Sequence, residues 1–313
     1  MEQIEISVIM ACYNEKLNWI HESIKSVLDQ SFKNFEFIIV CDNPDNIELI
    51  NVLREYEKRD TRIVLIINEK NSGIVKSANN GLSVARGKYI ARMDADDINF
   101  LDRFEKQYKY LEKNLDVDFI GGIGIMIDEE GKELYQINKL GRSYEKTKKS
   151  LLYRNIFFQP SWMFRRTILD KVGFYNEIPC AEDLDFVCRV IINKYNVINL
   201  PENVIKVRTR TNGISNSNRL KQIKVARIIM KNYKSAIRYN REYKPLEEIN
   251  KLQVDKNENY KYTKACELYF EGINFLRNKN VLKGFSSIIK SFFASKEKRV
   301  DLYSTIMIKI INI

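Results

Sequence analysis

Three carboxylates, Asp94, Asp96 and Asp97, stand within four positions of YIARMDADDI, directly after an apolar run. Like charges packed this closely repel one another unless a cation neutralises them. Two aspartates two residues apart at a strand end are hard oxygen donors. They suit Mg2+ or Mn2+, which take one or two carboxylates and complete their shell with substrate phosphates and water. The competing reading is an acidic turn that caps a helix starting near Asp102. A second group, CAEDLDFVCRVI, runs into an amphipathic pattern with Phe186, Val187, Val190 and Ile191 as its apolar positions, which puts Glu182 and Asp183 at a helix N-terminus. Capping of backbone N–H groups can account for Glu182, whereas Asp183 can either cap or face a cleft as a general base.

Other chemistries are excluded by what is missing from the sequence. A single histidine, His21, removes most reactions that need an imidazole base or a histidine-rich metal site, so proton transfer falls to carboxylates. The five cysteines are odd in number, widely spaced and never arranged as C-x-x-C, which fits reduced thiols better than a disulfide framework or zinc site. The first strand leads into ACYNEK rather than a glycine-rich turn, and no G-K-[ST] occurs, so neither the dinucleotide fingerprint nor the P-loop is present. The glycines of GGIGIMI lie inside a strand-like run, where a bulge or close backbone approach explains them.

The elements that must position these carboxylates alternate short β-rich runs with amphipathic stretches. Strands are predicted at 5–11, 35–41, 62–67, 88–93 and 118–128, with helices between them carrying apolar stripes such as Trp19, Ile20, Ile24, Val27 and Leu28. The order β-α-β-α-β-α-β-α-β predicts an α/β fold with a mostly parallel sheet flanked by helices. Ligands of such open sheets gather at the carboxyl ends of the strands. Tyr13, Asn14 and Glu15 follow the first strand there, Asp42 and Asn43 the second, and the aspartate cluster the fourth.

Charge divides the chain. Residues 1–217 hold 31 Lys and Arg against 32 Asp and Glu, whereas residues 218–313 hold 21 against 9, so the whole excess of +11 comes from the last third. This predicts a domain boundary near residue 215, with an almost neutral domain over 1–217 and a basic α-helical region over 218–313. That region reads as an amphipathic helix over 218–240, a polar linker near 244–259, a helical hairpin over 260–277 and 281–295, and an apolar tail. It serves either as a cap packed on the almost neutral domain or as a surface for anionic lipid head groups. The basic charge comes with no helix-turn-helix, zinc-finger or aromatic RNP pattern, so a nucleic-acid partner is not expected. The start MEQIEISVIM has no features of a secretory signal, and the longest apolar runs fall far short of the roughly 20 residues of a membrane span. The expected location is the cytoplasm.

SVIMACYNE, IIVCDN, NSGIVKSANNGLSVARGKYIARMDADDI, QPSWMFRR, VGFYNE and AEDLDFVCRV, in this order and spacing, resemble the family 2 glycosyltransferases, especially bacterial enzymes of capsule and exopolysaccharide assembly. The resemblance spans roughly residues 5–215. It implies a GT-A nucleotide-diphospho-sugar transferase fold and metal-dependent, inverting transfer of a hexosyl or N-acetylhexosaminyl group from a nucleotide sugar, with uridine diphosphate the expected carrier. The implied acceptor is a saccharide or lipid-linked hydroxyl, and a catalytically inactive scaffolding subunit of the same machinery is the alternative.

By this resemblance Ala11, Tyr13 and Glu15 line the nucleotide pocket, with Tyr13 stacking on the base and Asp42 accepting from the base edge. Lys76 and an Asn79–Gly81 turn approach the diphosphate and ribose. Asp96 is the principal Mn2+ or Mg2+ ligand, Asp94 lies nearer the ribose or sugar, Asp97 supports both, and Asp183 is the catalytic base. Two departures stand out: Gln159 replaces the histidine that many relatives carry before Pro-Ser, and VRTRTNGIS has no histidine to add to the metal shell. His21 is a poor substitute for either. Arg165, Arg166, Arg208 and Arg210 are read either as compensating charge near the diphosphate or as solvated faces.

Overall fold

The computed structural model of the chain describes residues 3–137, 140–210 and 219–312. It separates into two compact units. The first comprises Met1–Lys148, Ile156–Ile178 and Glu182–Gly213, and the second Lys149–Asn155, Pro179–Ala181 and Ile214–Ile313. The boundary expected at 217/218 lies outside the described residues.

The first unit is built on one sheet. Strands β1 (Ile6–Cys12), β2 (Phe35–Cys41), β3 (Ile63–Ile67) and β4 (Tyr89–Asp94) pair in parallel in the order β3-β2-β1-β4. β1 and β2 are buried along their whole length, as expected of apolar strands covered on both faces. The covering helices are α1 (Leu17–Leu28), α2 (Ile47–Arg59), α3 (Ile74–Val84) and α4 (Arg103–Lys113). α1 buries Trp19, Ile20, Ile24 and Val27 on one stripe, and the Asn46 side chain caps α2 by accepting from the Leu49 N–H at 3.0 Å.

Beyond β4 the sheet changes direction. The short β5 (Ile98–Asn99) follows the aspartate cluster. β6 (Phe119–Ile127), β7 (Glu133–Gln136), β8 (Met163–Arg165) and β9 (Val197–Arg208) then extend the sheet as β4-β8-β6-β9-β5, with β7 beside β6. β8 is antiparallel to both β4 and β6, and β9 runs parallel to β6. The glycines of β6 occur where the register against β9 shifts. A Cβ on Gly121 would lie 2.1 Å from Asn199 Oδ1, and one on Gly122 2.2 Å from a Val204 methyl, so close backbone approach and bulging account for them. Helices α5 (Tyr144–Ser150), α6 (Ile168–Val172) and α7 (Glu182–Ile192) complete this part of the chain.

The second unit is helical: α8 (Arg219–Tyr239), α9 (Pro245–Ile249), α10 (Lys256–Arg277), α11 (Val281–Ala294) and α12 (Lys296–Asn312). Leu220, Tyr262 and Cys266 pack together in its core. Two expectations are corrected here. The polar linker contains α9 and the start of α10, which Asp255 caps by accepting from the Asn257 and Glu258 N–H groups. The apolar tail is the 17-residue α12, tied down by an Asp301 pair to Arg154 at 2.8 Å and by Ser304 and Ile308 turned inward. Among the described residues no helix is long and apolar enough to cross a membrane.

Candidate active site

The four parallel strands end together, and β1 lies between β2, to which the chain runs from β1, and β4, to which it returns from β3, so the order of strands reverses at β1. Such a switch point opens a crevice at the strand ends. Ala11 is the register partner of Val40 on one side and Asp94 on the other. Tyr13, just beyond β1, is 45% exposed, and its N–H donates to Glu15 Oε2 at 2.8 Å. An aromatic ring left in water at the crevice is free to stack on a planar ligand.

Asp42, just after β2, is buried and accepts three hydrogen bonds, which leaves acceptor capacity on Oδ2. Oδ1 accepts from Asn68 Nδ2 at 2.7 Å and the Ser72 N–H at 2.8 Å, while Oδ2 accepts from the Gly73 N–H at 2.8 Å. The carboxylate thus organises the loop entering α3, and Asn68 itself is braced by Ser77 and Asn80. Asn68 follows β3 as Asp42 follows β2. Its place after an apolar strand was its only sequence signal.

The aspartate cluster sits at the end of β4 beneath two arginines from the far end of β9. Arg210 Nε donates to Asp96 Oδ2 at 2.5 Å, and Arg210 Nη2 lies 3.3 Å from Glu15 Oε1. Burial weakens the guanidinium's hold on its proton, but the Asp96 and Glu15 carboxylates outweigh it and push the pKa up. Arg208 donates through Nε to the Asp96 carbonyl, through Nη1 to the Asp128 and Glu129 carbonyls, and through Nη2 to Glu22 at 2.5 Å. Both guanidinium groups lie 5.3 Å from the centre of the Trp19 ring, within cation–π range.

Asp97 turns inward. Its Oδ1 accepts from the Arg208 N–H at 2.9 Å, and its buried Oδ2 has no hydrogen-bond partner among the described residues. Removal from water, with Asp96 and Asp94 nearby, raises the Asp97 pKa well above the carboxylate range. Asp94 keeps 38% of its side chain exposed, yet loss of hydration with Asp96 and Glu15 close by lifts its pKa to about 6 against the pull of Arg92. Arg92 Nη2 is 3.9 Å from Asp94 Oδ1. Under this layer Arg103 is fully buried, donating to Asn99, Gln107 and the carbonyls of Arg92 and Trp162, and burial lowers its pKa to about 9. The charged Arg92 inside an otherwise apolar strand was the sequence signal for this network.

Glu182 and Asp183 open α7, as the periodicity predicts. Asp183 Oδ1 accepts from the Leu184 N–H at 2.7 Å. Glu182 is raised to about 7, first by burial and then by Asp183, with Asp94 adding to the rise and Arg92 opposing it. The start of α7 therefore shares an electrostatic environment with the end of β4. Asp185 is a different kind of residue: fully buried, it accepts from Arg189 Nε at 2.8 Å and Asn176 Nδ2 at 3.0 Å. Arg189 in turn holds the Val172 and Phe174 carbonyls.

The remaining candidates separate by position. Lys76 is exposed on α3, 3.6 Å from Glu177. Asn79–Gly81 is not a turn but the middle of α3. Asn79 exchanges hydrogen bonds with the Tyr175 backbone, and a Cβ on Gly81 would lie 2.7 Å from Ile9, so these residues dock the helix. Of the four arginines, Arg208 and Arg210 reach the aspartates. Arg165 instead binds the Leu111 and Val117 carbonyls and Tyr89 Oη, and Arg166 binds the Gly87 carbonyl. His21 is exposed on α1 with Nδ1 2.8 Å from Tyr56 Oη. Gln159 starts a single 3-10 turn over Gln159–Ser161.

Among the described residues no three His, Cys, Asp or Glu side chains converge into a metal cage. The crowded Asp94 and Asp96, and the unpartnered Asp97 Oδ2 behind them, match the sparser donor set of Mg2+ or Mn2+, in which phosphate oxygens and water supply the other ligands.

The parallel strands, the reversed β8 and the carboxylate-bearing end of β4 define the GT-A nucleotide-diphospho-sugar transferase fold. Residues 7–173, more than half of the chain, match Glycosyl transferase family 2, and the chain belongs to that family. An uncharacterized glycosyltransferase of Methanocaldococcus jannaschii is 38% identical over 208 residues, covering 66% of this chain and 72% of that protein. The amylovoran biosynthesis glycosyltransferase AmsE of Erwinia amylovora is 31% identical over 203 residues, covering 64% of this chain and 75% of that protein. The crystal structure of S. aureus TarS 1–349 in complex with UDP-GlcNAc covers 93% of this chain and 92% of its own, at a TM-score of 0.59 and 14% identity. At that identity the likeness concerns the fold.

Proposed function

We propose that this family 2 glycosyltransferase transfers a hexosyl or N-acetylhexosaminyl group from a uridine-diphosphate sugar to a hydroxyl of a saccharide or lipid-linked acceptor, in surface polysaccharide synthesis and with inversion. The observation that carries the reading is the convergence of Tyr13, Glu15, Asp42, Asp94 and Asp96 on one edge of the sheet, with the N-terminus of α7 in the same electrostatic field. The UDP-GlcNAc held by TarS supports the donor class, and the role of AmsE in amylovoran biosynthesis supports the pathway class.

In this reading Tyr13 stacks on the base, and Asp42 together with the loop it organises accepts from the base edge. Lys76 and Arg210 contribute positive charge toward the diphosphate, and Asp94 and Asp96, with Asp97 behind them, hold Mn2+ or Mg2+. The bound ion supplies Lewis-acid neutralisation of the departing diphosphate. Asp183 takes the proton from the acceptor hydroxyl as its oxygen attacks the anomeric carbon. One base and a single in-line displacement invert that centre, whereas retention through a covalent intermediate needs a second carboxylate as nucleophile. Residues 1–217 form the catalytic domain, and the basic helices of 218–313 work at the inner membrane surface. The test is a panel of nucleotide sugars with Mn2+ or Mg2+, read by thermal stabilisation and by release of nucleoside diphosphate. Stabilisation by a uridine-diphosphate sugar is expected, and no response to any donor would overturn the reading.

A further inference from the structure

In α11 the usual distribution of residues is inverted. Its small side chains face inward: Gly284, Ser287 and Ser291 are buried, with Ser291 Oγ donating to the Ala265 carbonyl of α10 at 2.6 Å. A Cβ on Gly284 would lie 2.7 Å from Leu276, and one on Gly272 of α10 2.9 Å from the Gly284 carbonyl. The two backbones therefore touch, and large side chains are excluded from between them.

The large apolar residues stand on the other side, in water. Leu282 is 87% exposed, Phe285 57%, Ile289 55%, Phe292 41% and Phe293 71%. At 100° per residue they share one stripe about 100° wide. Together they leave on the order of 500 Å2 of apolar surface uncovered, as large as the biggest patches tolerated on monomeric proteins. Residues 279–296 carry Lys279, Lys283, Lys290 and Lys296 and no carboxylate. Lys283 and Lys290 lie together along one edge of the stripe, where their long stems can lie along apolar groups while the ammonium reaches phosphate. α12 repeats the feature, with Tyr303, Ile306 and Ile310 between 54% and 58% exposed and Lys309 beside them.

We infer that the exposed stripe of α11 is a membrane-docking face, inserted into the headgroup region of a bilayer rich in anionic lipid. A helix with an apolar face, lysines at its margin and too few residues to span lies in the plane of the interface. The lysine edge, with no carboxylate in the segment, selects an anionic surface over a neutral one. The inference deepens the membrane-surface reading above by naming the residues that enter the lipid.

The experiment uses the full chain and vesicles of phosphatidylglycerol with phosphatidylcholine, or of phosphatidylcholine alone, in co-sedimentation at low and high salt. Wild type is expected to bind the anionic vesicles at low salt and weaken as salt rises. The triple substitution Phe285→Ser, Ile289→Ser, Phe293→Ser should weaken binding by about tenfold or more, and Lys283→Gln with Lys290→Gln should remove most of the salt dependence. All five positions are exposed, so an unchanged thermal unfolding profile is expected to accompany the loss. Wild-type protein that stays in the supernatant, or a triple variant that binds like wild type, overturns the inference. So does a wild-type dimer, seen by sedimentation velocity without vesicle binding and dissociated by the same triple substitution, because the stripe is then a contact between copies. Stabilisation by nucleotide sugar, measured on the same proteins, reports on the catalytic reading separately.

Discussion

Arg210 Nε donates to Asp96 Oδ2 at 2.5 Å, across 114 positions of sequence, and the same guanidinium reaches Glu15 at 3.3 Å. A cation from the chain thus neutralises the carboxylate proposed as principal metal ligand. Divalent ion and arginine must compete for Asp96 unless the diphosphate draws Arg210 away. Arg210→Gln is therefore expected to tighten Mn2+ binding in the absence of donor by about tenfold, the equivalent of one charge-assisted hydrogen bond. Calorimetric titration of the free protein with Mn2+ measures it. Unchanged or weaker Mn2+ binding would show that Arg210 does not contend for that carboxylate.

Asp96→Ala removes the proposed ligand itself. Donor affinity should lose its dependence on divalent ion, and turnover should nearly vanish because the diphosphate charge is left uncompensated. Titration of donor with and without Mn2+ checks this. Equal metal-dependent affinity in wild type and variant would move the metal to Asp94 and Asp97.

Asp183 and Asp185 should separate cleanly. Asp183→Asn keeps shape and hydrogen bonding but cannot accept a proton, so turnover should fall by about 10²- to 10⁴-fold with donor affinity near normal. Asp185→Ala strips a fully buried partner from Arg189 and should destabilise the protein by about 3–5 kcal/mol. Urea unfolding and steady-state kinetics on both variants test the division. A stable, inactive Asp185 variant beside an active Asp183 variant would reverse the two roles.

Much of this was legible because it is local. β1, β2 and β4 read as strands because apolar residues fill most positions of a doubly covered sheet, interrupted only by Ser7, Glu36, Arg92 and Asp94, and the start of α7 reads from its period. β9 did not, because Pro201 and its charged neighbours argue against a central strand. In the structure Asn199 pairs with Gly121 and Asn203 with Ile123, so Pro201 falls in the bulge where no ladder bond is needed. β8 is only three residues long and is defined by its neighbours on either side. The carboxylates of the site were visible as a cluster, but their counter-charges were not. Nothing in the local pattern distinguishes Arg210, which meets Asp96, from Arg165, which meets backbone carbonyls.

The last expectation concerns pH and rests on Glu182. Burial, then the neighbouring Asp183, lifts its pKa from 4.5 to about 7; Asp94 adds to the rise and Arg92 opposes it. Between those two values the unfolded chain has lost the proton and the folded chain keeps it, so the folded state binds more protons. Stability must then fall as pH rises through this window, because each increment of pH favours the state that holds fewer protons. Glu182→Gln keeps a neutral side chain of the same shape and removes this contribution. The variant should match wild type near pH 4.5 and exceed it above pH 7, by on the order of 1–3 kcal/mol. Unfolding profiles of both proteins between about pH 4.5 and pH 8 measure the difference. Parallel profiles would mean that Glu182 is already ionised in the folded protein, and that the start of α7 is more open to water than its surroundings indicate.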